Sequence, residues 1–459
     1  MGLGYIGLPT SSMLATHGFQ VLGVDVNHQV LETLKNGEVH IHEPGLKTLI
    51  QAALKSKSLR VSHQPEPADA FIIAVPTPLL REAEEGRKSD RAWPRADLSH
   101  VIAAAESIVP YLRPSNLVIL ESTVPPRTTT DILIPILQRS GLSISRDTIK
   151  GEISFARQNV STSAHPLYVA YCPERVLPGR ILEELVRNDR VIGGVDRASA
   201  EMAKALYASF VEGEIFLTDA TTAEMVKLME NTYRDVNIAL ANEFALVAEQ
   251  LGINVWEAIE LANRHPRVNI LKPGPGVGGH CIAVDPWFIV QVAPEVTPLI
   301  QIARQVNDSM PAHVVELVKQ ALAEQRSKGV EGQKSGDETT SAPLHPCSTA
   351  RIACLGLAYK ADIDDTRESP AIKVVELLRA EGFEVRAYDP QVPMGTVPEQ
   401  VDSLEAALDG ADLVVILTDH TEFRQLELES HVVVDTRNVL DTQTRKIPRG
   451  LCLKLGNRL

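Results

Sequence analysis

Basic charge is in deficit in this 459-residue chain: 45 Lys and Arg stand against 59 Asp and Glu, for a formal net charge of -14. That excludes non-specific nucleic-acid binding and adhesion to anionic membrane surfaces as the main activity. An anionic small molecule stays open, because a local basic cluster can oppose the global sign. Long hydrophobic runs are also lacking. None approaches the roughly 18 residues a spanning helix needs, and no basic segment followed by an apolar stretch marks a secretion signal. Cysteine is sparse and odd in number, at Cys172, Cys281, Cys347, Cys354 and Cys452. With no CxxC pair and no Cys/His ligand spacing, neither a disulfide frame nor a metal site is expected, and the setting is reducing and cytoplasmic. What is present is ordinary: 44% hydrophobic and 23% charged residues, a globular composition long enough for two to four domains with full cores.

Short β-branched runs alternate with amphipathic stretches in the first third: QVLGVD (20–25), AFIIAV (70–75), LVILES (117–122) and LYVAY (167–171). Strands spaced by helical patterns predict βαβ units and a parallel sheet. Polar stretches at 81–97 and 140–165 read as surface insertions. From about Asp219 to Gly252 one long helical pattern runs without Pro or internal Gly, and another long helix is expected near 297–326. Residues 327–349 are polar, Gly/Ser/Thr-rich and aperiodic, a linker. Sheet signals resume with RIACLGLAY (351–359), EVRAYDP (384–390), LVVILTD (413–419) and HVVVDT (431–436). The expected organisation is an α/β domain over 1–197, a central helical domain over 198–326, a linker over 327–349 and a second α/β domain over 350–459.

Gly2-Leu3-Gly4-Tyr5-Ile6-Gly7 is a GxGxxG. Small residues there permit a tight turn and close approach of a pyrophosphate to a helix N-terminus. Asp25 lies about 20 residues on, at the end of a strand-like run, where an acid accepts ribose hydroxyls and repels a 2′-phosphate, favouring NAD over NADP. Pro76-Thr77-Pro78 and Ser122-Thr123-Val124-Pro125 each end a strand-like run, the edge at which open sheets bind ligands. Taken singly, each fits a capping or turn role as well.

The segment Pro273-Gly-Pro-Gly-Val-Gly-Gly-His-Cys281, followed by Asp285-Pro286, stands out. Four glycines and two prolines in so short a run make a loop of special dihedrals that can wrap a ligand and present the cysteine. A lone cysteine is usually a small core hydrophobe, and the loop reverses that reading. In the long helix, Glu224, Lys227, Asn231 and Arg234 recur at offsets of three and four and share one face. Charge alone makes this a solvated face. Asn beside Lys suits a developing oxyanion.

With those residues in place, the chain resembles the UDP-glucose/GDP-mannose dehydrogenase family over nearly its whole length. The resemblance is carried by GLGYIGLPT, PTP, ESTVPP, YCPERVLPGR, KLMENTYRDVNIALANEF, NRHPRVNILKPGPGVGGHCIAVDPWF and GLAYKADIDDTRESP. It implies two Rossmann-like parallel-sheet domains joined by a central helical domain with a long helix. The implied reaction is a four-electron oxidation of the C6 hydroxymethyl of a UDP-sugar to a carboxylate, consuming two NAD. UDP-N-acetyl-D-mannosamine is the first expectation for the sugar; UDP-N-acetylglucosamine, UDP-glucose or a catalytically silent homologue are the alternatives. By motif match, Cys281 is the nucleophile, Lys227 and Asn231 hold the oxyanion, and Asp285 supports Cys281 and the hydrolytic water. Gly2, Gly4, Tyr5, Ile6, Gly7, Asp25, Thr77, Thr123 and Arg367 line NAD. Arg175, Val176, Lys227, Asn231, Arg234, His265, Arg267, Gly278, Tyr359, Lys360 and Arg437 hold the nucleotide-sugar. A homodimer is implied, with Arg267 reaching the partner's site.

Glucose-specific members of the family carry a second Glu four residues after the Pro-Glu glutamate, where this chain has Pro178. That argues against glucose and leaves the water-handling role of that Glu without a bearer. A dinucleotide fingerprint should also follow a strand, yet Gly2 follows only Met1. In a doubly wound sheet that strand is central. About five buried apolar residues at roughly 1.5–3 kcal/mol each would be missing. The expectation is an upstream start or weak NAD binding.

Overall fold

The computed structural model describes residues 1–41, 43–80, 93–145, 165–331, 350–426, 428, 431–440 and 452–457. Most of the two polar insertions and of the linker lies outside them. The chain divides into two units, Met1–Glu230 with Trp287–Val296, and Asn231–Pro286 with Thr297–Leu459.

In the first unit the described strands are β1 (Val21–Val24), β2 (Leu59–Ser62), β3 (Ala70–Ile73), β4 (Leu117–Leu120), β5 (Tyr168–Tyr171), β6 (Arg190–Gly194) and β7 (Ile215–Asp219). β1 pairs with β2, and β3 to β7 follow one another in a second sheet. Every pair is parallel except β5 with β6. Met1–Leu3 connects the two sheets: the Met1 amine donates to Ile72 O, Ala74 N–H donates to Met1 O and Gly2 N–H donates to Val24 O, each at 2.8 Å. This segment stands where the first strand of the order 3-2-1-4-5-6 belongs. β4, Leu-Val-Ile-Leu, is buried on both faces, as a central parallel strand between helical layers must be.

β2 and β6 carry weak sequence signals for physical reasons. β2 is a short, mostly half-exposed run. β6 ends in two glycines because its neighbours crowd it: a Cβ on Gly193 would sit 2.4 Å from Asp219 O, and one on Gly194 2.1 Å from Asp196 O. Close backbone approach there replaces the β-branched residues that usually mark a strand.

In the second unit, β8 (Arg351–Leu355), β9 (Glu384–Tyr388), β10 (Leu413–Ile416), β11 (Val432–Asp435) and β12 (Cys452–Lys454) form one parallel sheet in the order β12-β11-β10-β8-β9. The order reverses between β8 and β10. Ligands of such sheets bind outside the carboxyl ends of the strands at that reversal, which here means the segments after Leu355 and Ile416. Helix Pro298–Glu331 covers this sheet, with Val314, Val318 and Leu322 in one apolar core with Ile352, Cys354, Val374 and Leu378. It continues to Glu331, five residues into the stretch read as linker. The long helix predicted from Asp219 to Gly252 is Ala220–Leu251.

Candidate active site

In the first unit the GxGxxG closes on itself. A Cβ on Gly7 would lie 2.0 Å from Gly2 O, and one on Gly2, at φ 87°, 2.5 Å from Ala74 O, whereas Gly4 faces open space. The helix Gly7–Thr16 then begins without a side-chain cap, leaving its first turn open to an anion. Asp25 follows β1 directly. Its Oδ2 accepts Leu3 N–H and its Oδ1 accepts Asn27 N–H, both at 2.8 Å, which fixes the carboxylate beside the glycine turn with acceptor capacity to spare. At the ends of β3 and β4, Thr77 Oγ1 donates to Thr123 O at 2.6 Å and Ser122 Oγ donates to Val75 O at 2.7 Å. The two proline-bounded loops are thus tied to each other. Tyr5 and Ile6 are half-buried. These residues fit a dinucleotide: an open helix start, a turn no side chain could enter and an acid for ribose.

Arg175 and Val176 follow β5. The Arg175 guanidinium is engaged by Glu230, with Nη2 to Oε1 at 2.6 Å, and donates to Asp189 O at 3.1 Å. Val176 packs in the core around Ile181 and Leu185. Just before them lies a buried pair that sequence reasoning left aside. Arg190 meets Glu174 at 2.9 Å with both side chains almost fully covered, and Tyr207 donates to Glu121 at 2.5 Å. Burial raises the Glu121 carboxyl to about 7.

Four positions on the long helix prove chemically distinct. Glu224 is fully buried and accepts from Arg127 N at 2.5 Å, Thr129 N at 2.8 Å and Thr129 Oγ1 at 2.7 Å. Burial raises its carboxyl to about 7. It anchors the turn after β4, which corrects the reading of a solvated face. Lys227 is half-buried, and its ammonium has no hydrogen bond or ion pair among the described residues. Asn231 Nδ2 donates to Asp285 Oδ2 at 2.6 Å. Arg234 is exposed.

The glycine loop belongs to the second unit. Its glycines are required by what they touch. A Cβ on Gly274 would be 2.5 Å from Arg437 Nη1, one on Gly278 2.6 Å from Tyr359 Cβ, and one on Gly279, at φ 83°, 3.0 Å from the Tyr359 ring. Gly279 N–H donates to Arg367 O at 2.9 Å. The loop therefore gathers Gly278, Tyr359, Arg367 and Arg437, which are far apart in sequence, at the reversal point of the sheet. Arg367 is held by Asp365 at 2.6 Å. Arg437 is largely enclosed: its Nε has no hydrogen-bond partner among the described residues, and the nearest carboxylate, Asp419, is 3.8 Å away. Burial lowers its pKa, offset in part by Asp419 and Asp435. An enclosed guanidinium with spare donors suits a diphosphate. Lys360 follows Tyr359 and is half-buried. His265 and Arg267 lie apart on an exposed turn, and the Arg267 guanidinium has no hydrogen bond or ion pair among the described residues.

Cys281 ends this loop half-buried. Its carbonyl accepts Asp285 N–H at 2.8 Å, which sets Asp285, buried at the start of helix Asp285–Val292, one turn beyond it. Cys172 and Cys354 are fully buried, and burial raises the Cys172 thiol to about 12 and that of Cys354 further still. Among the thiols whose surroundings are described, Cys281 is the one open to a ligand. Among the described residues no cluster of His, Cys, Asp or Glu could hold a metal, and no helix is long and apolar enough to cross a membrane.

A dinucleotide fold with an acid for ribose in one unit, and a sheet with cationic groups at its reversal point in the other, define the class: an NAD-dependent nucleotide-sugar dehydrogenase. Comparison with known proteins agrees along most of the chain. Residues 1–211 match the NAD binding domain of the UDP-glucose/GDP-mannose dehydrogenase family, residues 221–309 its central domain and residues 353–442 its UDP binding domain. The chain belongs to that family. It is 49% identical to a UDP-N-acetyl-D-mannosamine dehydrogenase of Methanocaldococcus jannaschii, over 96% of this chain and 92% of the relative. It is 46% identical to an NDP-N-acetyl-D-galactosaminuronic acid dehydrogenase of Ralstonia nicotianae, over 96% and 95%. Among solved structures, a UDP-D-ManNAc dehydrogenase of Pyrococcus horikoshii aligns with a TM-score of 0.83 at 42% identity, covering 99% of this chain and 98% of that one.

Proposed function

We propose that the chain oxidises C6 of UDP-N-acetyl-D-mannosamine to the carboxylate, through a covalent adduct on Cys281. The half-buried Cys281, one turn before an Asp285 held by Asn231, is the observation that carries the mechanism. The sugar rests on the Methanocaldococcus and Pyrococcus relatives.

Bound NAD supplies a hydride acceptor, and two equivalents account for the four electrons. Gly2, Gly4, Tyr5, Ile6, Gly7, Asp25, Thr77, Thr123 and Arg367 are the residues to hold it. Two-electron oxidation of the C6 alcohol gives an aldehyde. The Cys281 thiolate adds to that carbon, a C–S bond forms, and the carbonyl π pair becomes an alkoxide opposed by Lys227 and Asn231. The thiohemiacetal retains a C–H, so a second two-electron oxidation is open to it and leaves a thioester. Water cleaves the thioester with Asp285 taking its proton. The C–S bond breaks, Cys281 departs as thiolate and the uronate is released. Arg437, Tyr359, Lys360 and Gly278 grip the UDP portion, and Arg175, Val176, Arg234, His265 and Arg267 complete the substrate contacts. The product is an activated uronic acid, a donor for surface polysaccharide synthesis, made in the cytoplasm where NAD and UDP-sugars are pooled.

The Ralstonia relative favours a second reading, another UDP-N-acetylhexosamine. Initial rates of NADH absorbance at saturating NAD, across UDP-N-acetylmannosamine, UDP-N-acetylglucosamine, UDP-N-acetylgalactosamine and UDP-glucose, separate the two. The manno sugar should give the highest kcat/KM, and a higher value for any other sugar rejects the assignment.

The working form is a homodimer. Tyr233, Leu240, Phe244, Val247 and Leu251 stand exposed on the long helix at offsets that form one stripe, and such a stripe on a soluble chain marks an association surface. Arg267, on its exposed turn, is then free to reach the partner's substrate. Light scattering should give twice the chain mass; a fully active species of 50.1 kDa would contradict it.

A further inference from the structure

The second unit holds a buried polar chain to which neither the comparisons nor the mechanism above assigns a role. Asn242 of the long helix, fully covered, accepts Gly274 N–H on Oδ1 at 2.8 Å and donates from Nδ2 to Asn307 Oδ1 at 2.9 Å. Asn307, on helix Pro298–Glu331, donates in turn to Asp235 Oδ1 at 2.8 Å and to Asp235 O at 3.0 Å. Arg304 Nη1 meets the same Asp235 oxygen at 2.6 Å. All four residues are at most 2% exposed. Polar groups this deep cost stability unless satisfied, so their presence on a helix face that could be apolar calls for a reason.

The two ends of the cysteine loop supply it. Asn242 takes hold of Gly274, where the loop begins, while Asn231, eleven residues earlier on the same helix, takes hold of Asp285, one turn past its end. Eleven residues are about three turns, roughly 16 Å along the axis, so both asparagines lie on one face. The loop is pinned to a single rigid rod at both ends. At its first pin it is also packed against Arg437. A sliding loop would move Cys281 and the guanidinium contact together.

We propose that Asn242 and Asn307 are positioning residues: Asn242 sets the loop's register on the long helix, and Asn307 holds the Asn242 amide in the one orientation that presents its oxygen to Gly274. The Asp235–Arg304 pair keeps Asn307 in turn. The proposal rests on the reading of Cys281 as nucleophile for its catalytic consequence, but the register itself can be read without turnover.

The test uses the full-length chain and three variants, Asn242→Leu, Asn307→Leu and Asn242→Asp. The last keeps an acceptor for Gly274 N–H while losing the donor to Asn307. Four quantities are measured: the melting temperature, the Kd of UDP, kcat with the UDP-sugar, and the iodoacetamide alkylation rate at Cys281, located by peptide mapping. Both leucine variants should lose at least tenfold in kcat, weaken UDP several-fold and change the alkylation rate at least threefold, with Asn242→Asp between them and the parent. Parent-like alkylation and UDP binding in all folded variants overturns the proposal, whatever kcat does. So does a change in the other three quantities that only follows the melting temperature, with no intermediate Asn242→Asp. If alkylation and UDP affinity shift as stated while Cys281→Ser retains turnover, the register stands and the covalent mechanism fails instead. Should Asn242→Leu not fold, Asn307→Leu and Asn242→Asp decide the outcome by the same criteria.

Discussion

Replacing Cys281 by Ser should stop uronate formation while leaving the UDP-sugar bound. The substitution changes one atom on a half-buried side chain, so the loop's packing against Tyr359 and Arg437 has no cause to move. What changes is chemistry. A serine hydroxyl is scarcely ionised near neutral pH and is a much weaker nucleophile than a cysteine thiol. Loss of the nucleophile should lower steady-state uronate production by at least about 10³-fold, the scale on which removal of a single covalent catalyst is felt. UDP-sugar affinity, measured calorimetrically, should stay within threefold. A variant that makes uronate within tenfold of the parent rate would leave the covalent scheme without support.

Lys227→Ala should strike kcat rather than binding. Lys227 is half-buried and its ammonium has no partner among the described residues, so it is free to meet the charge that develops on C6 oxygen. A well-placed donor to such an oxyanion contributes about 3–4 kcal/mol, roughly 10²–10³ in kcat. Asn231 makes up only part of the loss, because one of its two amide N–H donors is given to Asp285 at 2.6 Å and the amide carries no charge. The Michaelis constant should shift by no more than a few-fold. A large rise in KM at unchanged kcat would make Lys227 a ground-state binding group.

The fold was largely legible because its signals are local. β1, β3, β4 and β5, and β8 to β11, coincide with β-branched runs that the pattern marks; the signal is strongest in β4, β10 and β11, which are buried on both faces and so read as continuous apolar segments. The long helix was legible because no Pro or Gly interrupts it. β6 was not, since two close backbone approaches turned its end into Gly193-Gly194, and its antiparallel pairing with β5 leaves no local mark.

In the candidate site, the loop at 273–281 announced itself through glycine and proline, and the structure explains that composition by Arg437, Tyr359 and Pro370 pressing on it. Partners distant in sequence were invisible. Glu224 read as one charge on a solvated face because its acceptors' partners, Arg127 and Thr129, lie almost a hundred residues earlier. Arg175 read only as a nucleotide-sugar contact by motif match, and its pairing with Glu230 is again a long-range contact. Asn242 and Asn307 carry a faint signal: with Asp235 and Arg304 they are polar residues at buried helix positions, and the eleven-residue spacing from Asn231 is the pattern that could have found Asn242.

The central claim, a four-electron oxidation through a thioester, is tested most directly by counting electrons. The chain is incubated with a limiting amount of UDP-N-acetylmannosamine and excess NAD, and the NADH formed is compared with the uronate recovered. Two NADH per uronate, with no free aldehyde trapped by an added hydroxylamine, is the predicted result. One NADH per sugar, with the aldehyde as the end product, would contradict the account.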